Sequence, residues 1–288
     1  MIAGLTALEG ELRSAGEKYS GKWTCALTDL RSGEHIAIDE DDVMPTASLI
    51  KVPILAGLYD AVRQGKLRLD DRTTYEDVHN CRGSGVLQHL APGVEMTVRD
   101  AAVLMIIISD NAATNMCIDL VGLERLNELW AQMGYEKTRL YQRLGERAAG
   151  LDARKMSVSS AADTCRMLTS IARHEMVSSE ASEDMLRIMR RLNGRAELSH
   201  MLPWNELNML ENPRDNWVAE KGGAFINGIR CGGAIFHSER GHFAMAVFGE
   251  GMLAGRADSE AEGNRLLWEM GEIAWRELCA VRPAHASP

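Results

Sequence analysis

The hydrophobic period of this chain changes twice, and that change limits the folds open to it. Between Leu49 and Leu192, five segments place apolar residues at helical spacing: Leu49 to Gln64, Thr97 to Ile108, Leu123 to Met133, Ser159 to His174 and Ser182 to Leu192. Thr97 and Ser159 are suited to cap two of them. The two ends read differently. Leu5 to Ala15 is an amphipathic helix, and Lys22 to Leu30 with Glu34 to Ile38 forms a hairpin around Arg31-Ser32-Gly33. Val218 to Lys221, Gly228 to His237 and His242 to Gly249 alternate as strands, and Ser259 to Cys279 closes the chain as a helix. The expectation is an α/β (α+β) fold in one compact two-lobed unit. Residues 1–42 and 200–288 would build an α/β lobe, with an antiparallel sheet flanked by the N- and C-terminal helices. Residues 43–199 would build an all-α lobe. No linker rich in Pro, Gly or Ser divides them, so the lobes should share one cleft.

Composition narrows the function. With 288 residues, 45% of them hydrophobic and 25% charged, the chain can bury a large core. A formal charge of −9 and scattered Lys and Arg leave no basic stripe for nucleic acid. The longest apolar run, Ala101 to Ile108, lies between Asp100 and Asp110 and is too short for a membrane span. Neither a nucleic-acid nor a membrane partner is expected, and a monomer is. Cys25, Cys81, Cys117, Cys165, Cys231 and Cys279 form no Cys-x-x-Cys pair and read as small core residues. The start, Met1-Ile2-Ala3-Gly4-Leu5 followed by Glu9 and Glu11, lacks the basic and apolar regions of a signal peptide. A cytoplasmic location is therefore expected for the sequence as written, or a periplasmic or secreted one if a leader has been trimmed away.

Three short elements carry the chemistry. Ser48-Leu49-Ile50-Lys51 sets a hydroxyl and an amine three residues apart, on one face of a helix. A hydroxyl is a weak nucleophile at neutral pH, and a base at that spacing activates it. Ser109-Asp110-Asn111 and Lys221-Gly222-Gly223 follow in order, with Gly83-Ser84-Gly85-Val86-Leu87 before the second and Asn227-Gly228-Ile229-Arg230 after the third. A lone Ser-x-x-Lys is common by chance; three ordered elements are not.

On these residues the chain resembles the class A β-lactamases and the wider penicillin-recognising serine hydrolase superfamily. The resemblance runs from about Leu5 to the C-terminal helix and is strongest over Thr46 to Leu58 and Arg82 to Asn115. It implies that the three elements converge in one cleft. It further implies that Ser48 attacks a carbonyl, that Lys51 takes or relays the proton, and that Ser109 passes a proton to the leaving nitrogen. The backbone N–H groups of Ser48 and Ala224 would form the oxyanion hole. Asn111 would bind a side-chain amide, and Lys221, Gly223 and Arg230 would line the site of a substrate carboxylate. No cofactor and no metal are implied.

Two departures from the family pattern bear on mechanism. Class A enzymes deacylate with a glutamate in Arg-Leu-x-x-x-Glu-x-x-Leu-Asn; here Arg143-Leu144-Gly145-Glu146-Arg147-Ala148-Ala149-Gly150-Leu151-Asp152 puts Ala148 at that position and Asp152 at the asparagine. Deacylation is then slow, or Asp152 or Glu146 supplies the base, or the acyl substrate is a different one. Asp152 is the candidate that neighbours the hydrolytic water in relatives, and a loop cap is its competing role. Gly222 stands where relatives carry Thr or Ser, which removes a hydroxyl from the carboxylate pocket.

The expected function is hydrolysis of a β-lactam or related amide or ester, on a small carboxylate-bearing substrate, through an acyl-serine. A D,D-peptidase or esterase-like penicillin-binding enzyme with slow deacylation is the alternative, and a catalytically idle binding protein is the reading from another class. His237 and His242 flank a hairpin turn without an obvious third zinc ligand and read as an exposed turn. Met185 and Met189 read as core, and Trp204 and Trp217 as packing.

Overall fold

In a computed structural model, described here for residues 3–145, 152–191, 197–203, 207, 216–226, 228–252 and 261–280, the two ends of the chain meet in one five-stranded antiparallel sheet. Its order is β2-β1-β10-β9-β8, formed by β1 (Lys22–Asp29), β2 (His35–Ile38), β8 (Trp217–Phe225), β9 (Ile229–His237) and β10 (His242–Glu250). Cys25 pairs with Val247, and Gly223 with Cys231. β8 is an edge strand, and that edge becomes the wall of the candidate site.

One sheet face is covered by α1 (Ala3–Gly16) and α8 (Glu262–Leu278), which pack on each other. Leu8, Leu12, Phe236, Phe243, Leu266 and Met270 are among the residues that fill that layer. The other face receives α6 (Ala161–Ala172), and here Ala244, Ala246 and Phe248 join a core shared with the helical lobe. The remaining helices are α2 (Lys51–Arg63), α3 (Val98–Ile107), α4 (Asn111–Val121), α5 (Leu123–Gln132) and α7 (Ser179–Met189).

Local chemistry explains several boundaries. Thr97 and Asp100 make a reciprocal capping box that starts α3. α6 begins one residue later than expected, because Ser160, not Ser159, accepts the Asp163 N–H. Ser159 instead belongs to β7 (Ser157–Ser159), which pairs with β3 (Met44–Pro45) and β6 (Arg139–Leu140). With β4 (Arg72–Thr74) and β5 (Glu95–Thr97), these short ladders interrupt the region expected to be all helical.

All six cysteines are buried and free, and Met185 and Met189 are fully buried. Among the described residues no helix is long and apolar enough to cross a membrane.

Candidate active site

Ser48 is the second residue of a 3-10 turn, Ala47–Ile50, that runs directly into α2. The N–H groups at the start of a helix lack intrahelical acceptors, so that of Ser48 is available to a ligand. The turn is held from both sides. Thr46 Oγ1 lies 2.6 Å from Ser157 Oγ, and Thr46 O accepts from Leu49 N at 2.9 Å and from Cys231 Sγ at 2.8 Å. These bonds hold Ala47 at a φ of 42°, a left-handed conformation costly for a residue with a Cβ.

Lys51 follows one turn later and is fully buried. Its Nζ lies 3.2 Å from Ser48 Oγ, 2.9 Å from Ser109 Oγ, 2.7 Å from Ser109 O and 2.8 Å from Asn111 Oδ1. Burial, reinforced by the charge of Lys221, pushes its pKa well below that of an ordinary lysine, against the opposing pull of Asp110 and Cys81. The partner set suits the neutral amine. Ser109 O and Asn111 Oδ1 can only accept, so they engage its two N–H donors. The lone pair is then left to the two hydroxyls.

Ser109-Asp110-Asn111 is shaped by what surrounds Asp110. The Asp110 carboxylate caps α4 through Ala113 N at 2.9 Å and also accepts from Val86 N at 2.7 Å and Leu87 N at 2.9 Å. The loop must come close to do this, and glycines permit it. A Cβ at Gly85 would sit 2.3 Å from Asp110 Cγ, and one at Gly83 would sit 2.7 Å from Asn111 Nδ2; both residues have positive φ. Asn111 is fixed by N to Ser84 O at 3.0 Å and Nδ2 to Arg82 O at 3.1 Å. That orientation turns its Oδ1 to Lys51.

The third wall is β8. A Cβ at Gly223 would lie 2.4 Å from Thr46 O and 2.8 Å from Ser48 N, so only glycine lets the strand come this near the turn. Ala224 is the next residue along the strand. Lys221 is buried, and its Nζ donates to Gly222 O at 2.7 Å. Its pKa is lowered by burial, an effect opposed first by Glu197. Arg230, opposite Ala224 on β9, bonds Asn264 Oδ1 at 2.7 Å, Ile229 O at 2.8 Å and Phe225 O at 3.1 Å.

A family model described as "Beta-lactamase enzyme family" matches residues 7–278 of this chain. The chain belongs to that family. Beta-lactamase L2 of Stenotrophomonas maltophilia is 31% identical over 102 residues, a stretch that covers 35% of this chain and about a third (33%) of that relative. Among solved structures, a β-lactamase of Sphaerobacter thermophilus superposes with a TM-score of 0.81 at 24% identity, covering 98% of this chain and 99% of the other. PBP-A superposes at 0.80 with 25% identity, covering 94% of this chain and 96% of its own. The mixed fold of helical lobe and antiparallel sheet is thus that of the β-lactamase family.

In this family member Ser48, Ser109 and Asn111 lie within hydrogen-bonding reach of the Lys51 amine, and Gly223 packs against the Ser48 turn. Asp152 lies apart from them in its bonding. Its Oδ1 accepts from Arg154 N at 3.0 Å, capping the 3-10 turn Ala153–Lys155, and its other oxygen is 4.0 Å from Lys155 Nζ. Glu146, Ala148, Trp204 and Asn227 fall outside the described residues.

The turn between the two hairpin histidines is exposed at Glu239 and Arg240, as expected, but His237 and His242 are themselves half-buried. His237 stacks on Trp217, itself covered by the Arg190 guanidinium, and the His242 ring meets His237 edge-on at 5.1 Å. Burial, with the neighbouring His237 charge, pushes the His242 pKa down to about 4. Among the described residues no group of His, Cys, Asp and Glu is arranged to hold a metal.

Sequence reasoning missed Asp110 as the residue that ties the 83–87 loop to the second element. An Asp before the helical spacing of Ala112, Ala113, Met116 and Cys117 was the available signal. It also missed Glu197, whose approach to Gly222 is purely tertiary.

Proposed function

We propose that the protein is a serine hydrolase of the β-lactamase type, cleaving a β-lactam or related amide or ester through an acyl-serine at Ser48. The observation that carries this reading is the buried Lys51 amine 3.2 Å from Ser48 Oγ. In acylation the neutral amine takes the Ser48 proton as Oγ bonds to the carbonyl carbon. The carbonyl oxygen becomes an oxyanion facing the N–H groups of Ser48 and Ala224. Collapse expels the leaving nitrogen or oxygen, which takes a proton from Ser109 Oγ, and Lys51, 2.9 Å away, returns one to Ser109. The amine ends neutral and the serine acylated.

Deacylation repeats the sequence with water as nucleophile and needs a base for that water. The family's glutamate is replaced by Ala148, and Asp152 is engaged as a cap. Slow deacylation follows, which favours the penicillin-binding or esterase-like form of the reading. One of the similar solved structures is a PBP-A variant as an acyl-enzyme complex with penicillin G, which supports the same first step here. Lys221 and Arg230 are the groups proposed to line the substrate pocket beside β8. The test is labelling with an uncharged fluorophosphonate and with a fluorescent penicillin. Label from either reagent on the native protein and none on Ser48→Ala is the expected result, and label of equal strength on both would refute the assignment.

A further inference from the structure

Gly222 and Glu197 occupy one place between them. Along β8 the side chains alternate. Gly223 faces the Ser48 turn and Gly222 faces the opposite side with its partner Gly232, while the Lys221 ammonium reaches back to Gly222 O at 2.7 Å. A Cβ at Gly222 would lie 2.0 Å from Glu197 Cγ and 2.2 Å from Glu197 Oε1. Glu197 therefore rests directly on the Gly222 backbone, in the space a Thr or Ser side chain would begin to fill.

The segment that carries Glu197 is anchored by its neighbours. Leu198 is buried in the layer beneath α8, and its carbonyl sits so close to Gly271 that a Cβ there would be 1.8 Å from it. Ser199 N donates to Glu220 Oε2 at 3.1 Å, and Ser199 Oγ to Oε1 at 2.5 Å. His200 N closes a turn on Glu197 O at 3.2 Å. With its backbone fixed on both counts, Glu197 has a defined position. Its charge is the first to oppose the effect of burial on Lys221.

The Lys221 ammonium on Gly222 O and the Glu197 carboxylate on the Gly222 Cα thus meet at one residue, and a second anion placed there meets a like charge. Resting on the acyl-serine reading above, we infer that Glu197 stands in for a substrate carboxylate, so that this pocket rejects anionic substrates and takes uncharged esters or amides. Gly222 is the enabling residue: any larger side chain displaces Glu197. Both act on which substrate binds, not on the bond-making steps at Ser48.

Two thioesters with the same acyl group test this, one with a thioglycolate leaving group and the other with its methyl ester. The ratio of their kcat/KM values within one preparation is independent of how much enzyme is folded. The native protein should favour the uncharged thioester by at least tenfold. Glu197→Gln should shift the ratio at least tenfold toward the carboxylate, and Gly222→Thr should shift it the same way by displacing Glu197. A native preference for the carboxylate, or an unchanged ratio in both variants, would overturn the inference and leave the acyl-serine reading intact. Failure of both thioesters to acylate Ser48 would overturn the two together.

Discussion

Lys51 Nζ sits 3.2 Å from Ser48 Oγ with no exposed surface of its own, and two of its three other close partners, Ser109 O and Asn111 Oδ1, accept without donating. Such a cage holds an amine whose lone pair points at a hydroxyl. Much of what the site can do follows from this one contact.

The first consequence is a pH profile. Acylation needs the neutral amine, so its rate should rise with pH through the pKa of Lys51 and level off well below the ordinary lysine value of 10.5. The stability linkage runs the same way. Between the lowered folded value and 10.5 the unfolded chain binds the extra proton, so this group's contribution to stability rises with pH across that window. Single-turnover acylation against pH checks the first statement; a rise centred near 10.5 would contradict it. Lys51→Arg should lose about 10²–10⁴-fold in acylation, because a guanidinium cannot act as the base.

Gly85→Ala should loosen the second element. Its φ of +105° and the 2.3 Å approach of an added carbon to Asp110 Cγ leave the side chain no room. A cost of about 1–3 kcal/mol is expected, which at roughly 2–4 °C per kcal/mol lowers the melting temperature by several degrees. Acylation should fall with it, since Asp110 and Asn111 are placed by the same loop. Calorimetry beside acylation rates measures both, and an unchanged melting temperature would show that the loop yields.

Arg230 is tied to Asn264 and to the carbonyls of Phe225 and Ile229, the two ends of the β8–β9 turn. Removing it leaves those acceptors without their donor, at about 1.5–3 kcal/mol for a bond to a charged group. Arg230→Ala should therefore lower stability and depress kcat/KM for charged and uncharged substrates alike. A loss confined to carboxylate substrates would instead make Arg230 their direct ligand.

Asp152→Ala removes a cap that accepts from Arg154 N, so it should cost about 0.5–2 kcal/mol of stability with deacylation little changed. Ala148→Glu restores the residue type the family uses and should speed deacylation by up to about 10²–10⁴-fold. Pre-steady-state deacylation rates for the pair decide between them. A marked slowing in Asp152→Ala would return that carboxylate to the mechanism.

The sequence was most legible where local physics dominates. Period and capping located α3 through Thr97, and the alternation of residues 228–237 and 242–249 located β9 and β10. α4 was missed because Asp110-Asn111 reads equally as a turn, and what decides for a helix cap is the Ala113 N–H bond. Within the site, Ser48, Lys51, Ser109, Lys221 and Gly223 were legible because their order carries the family pattern. Glu197 was not, since it lies 25 residues before Gly222 along the chain and meets it only through the packing of Leu198 under α8. The packing of the histidine pair was not legible for the same reason: Trp217, which stacks on His237, comes from a different strand.

The central claim is that Ser48 becomes acylated and that the acyl group leaves slowly. Intact-mass measurement over time, with an uncharged thioester and with a penicillin, reports both steps on one protein. The account predicts that the native chain gains the mass of the acyl group of the thioester and sheds it slowly, while Ser48→Ala gains none. An equal adduct on Ser48→Ala, or no adduct on the native chain with either reagent, would contradict it.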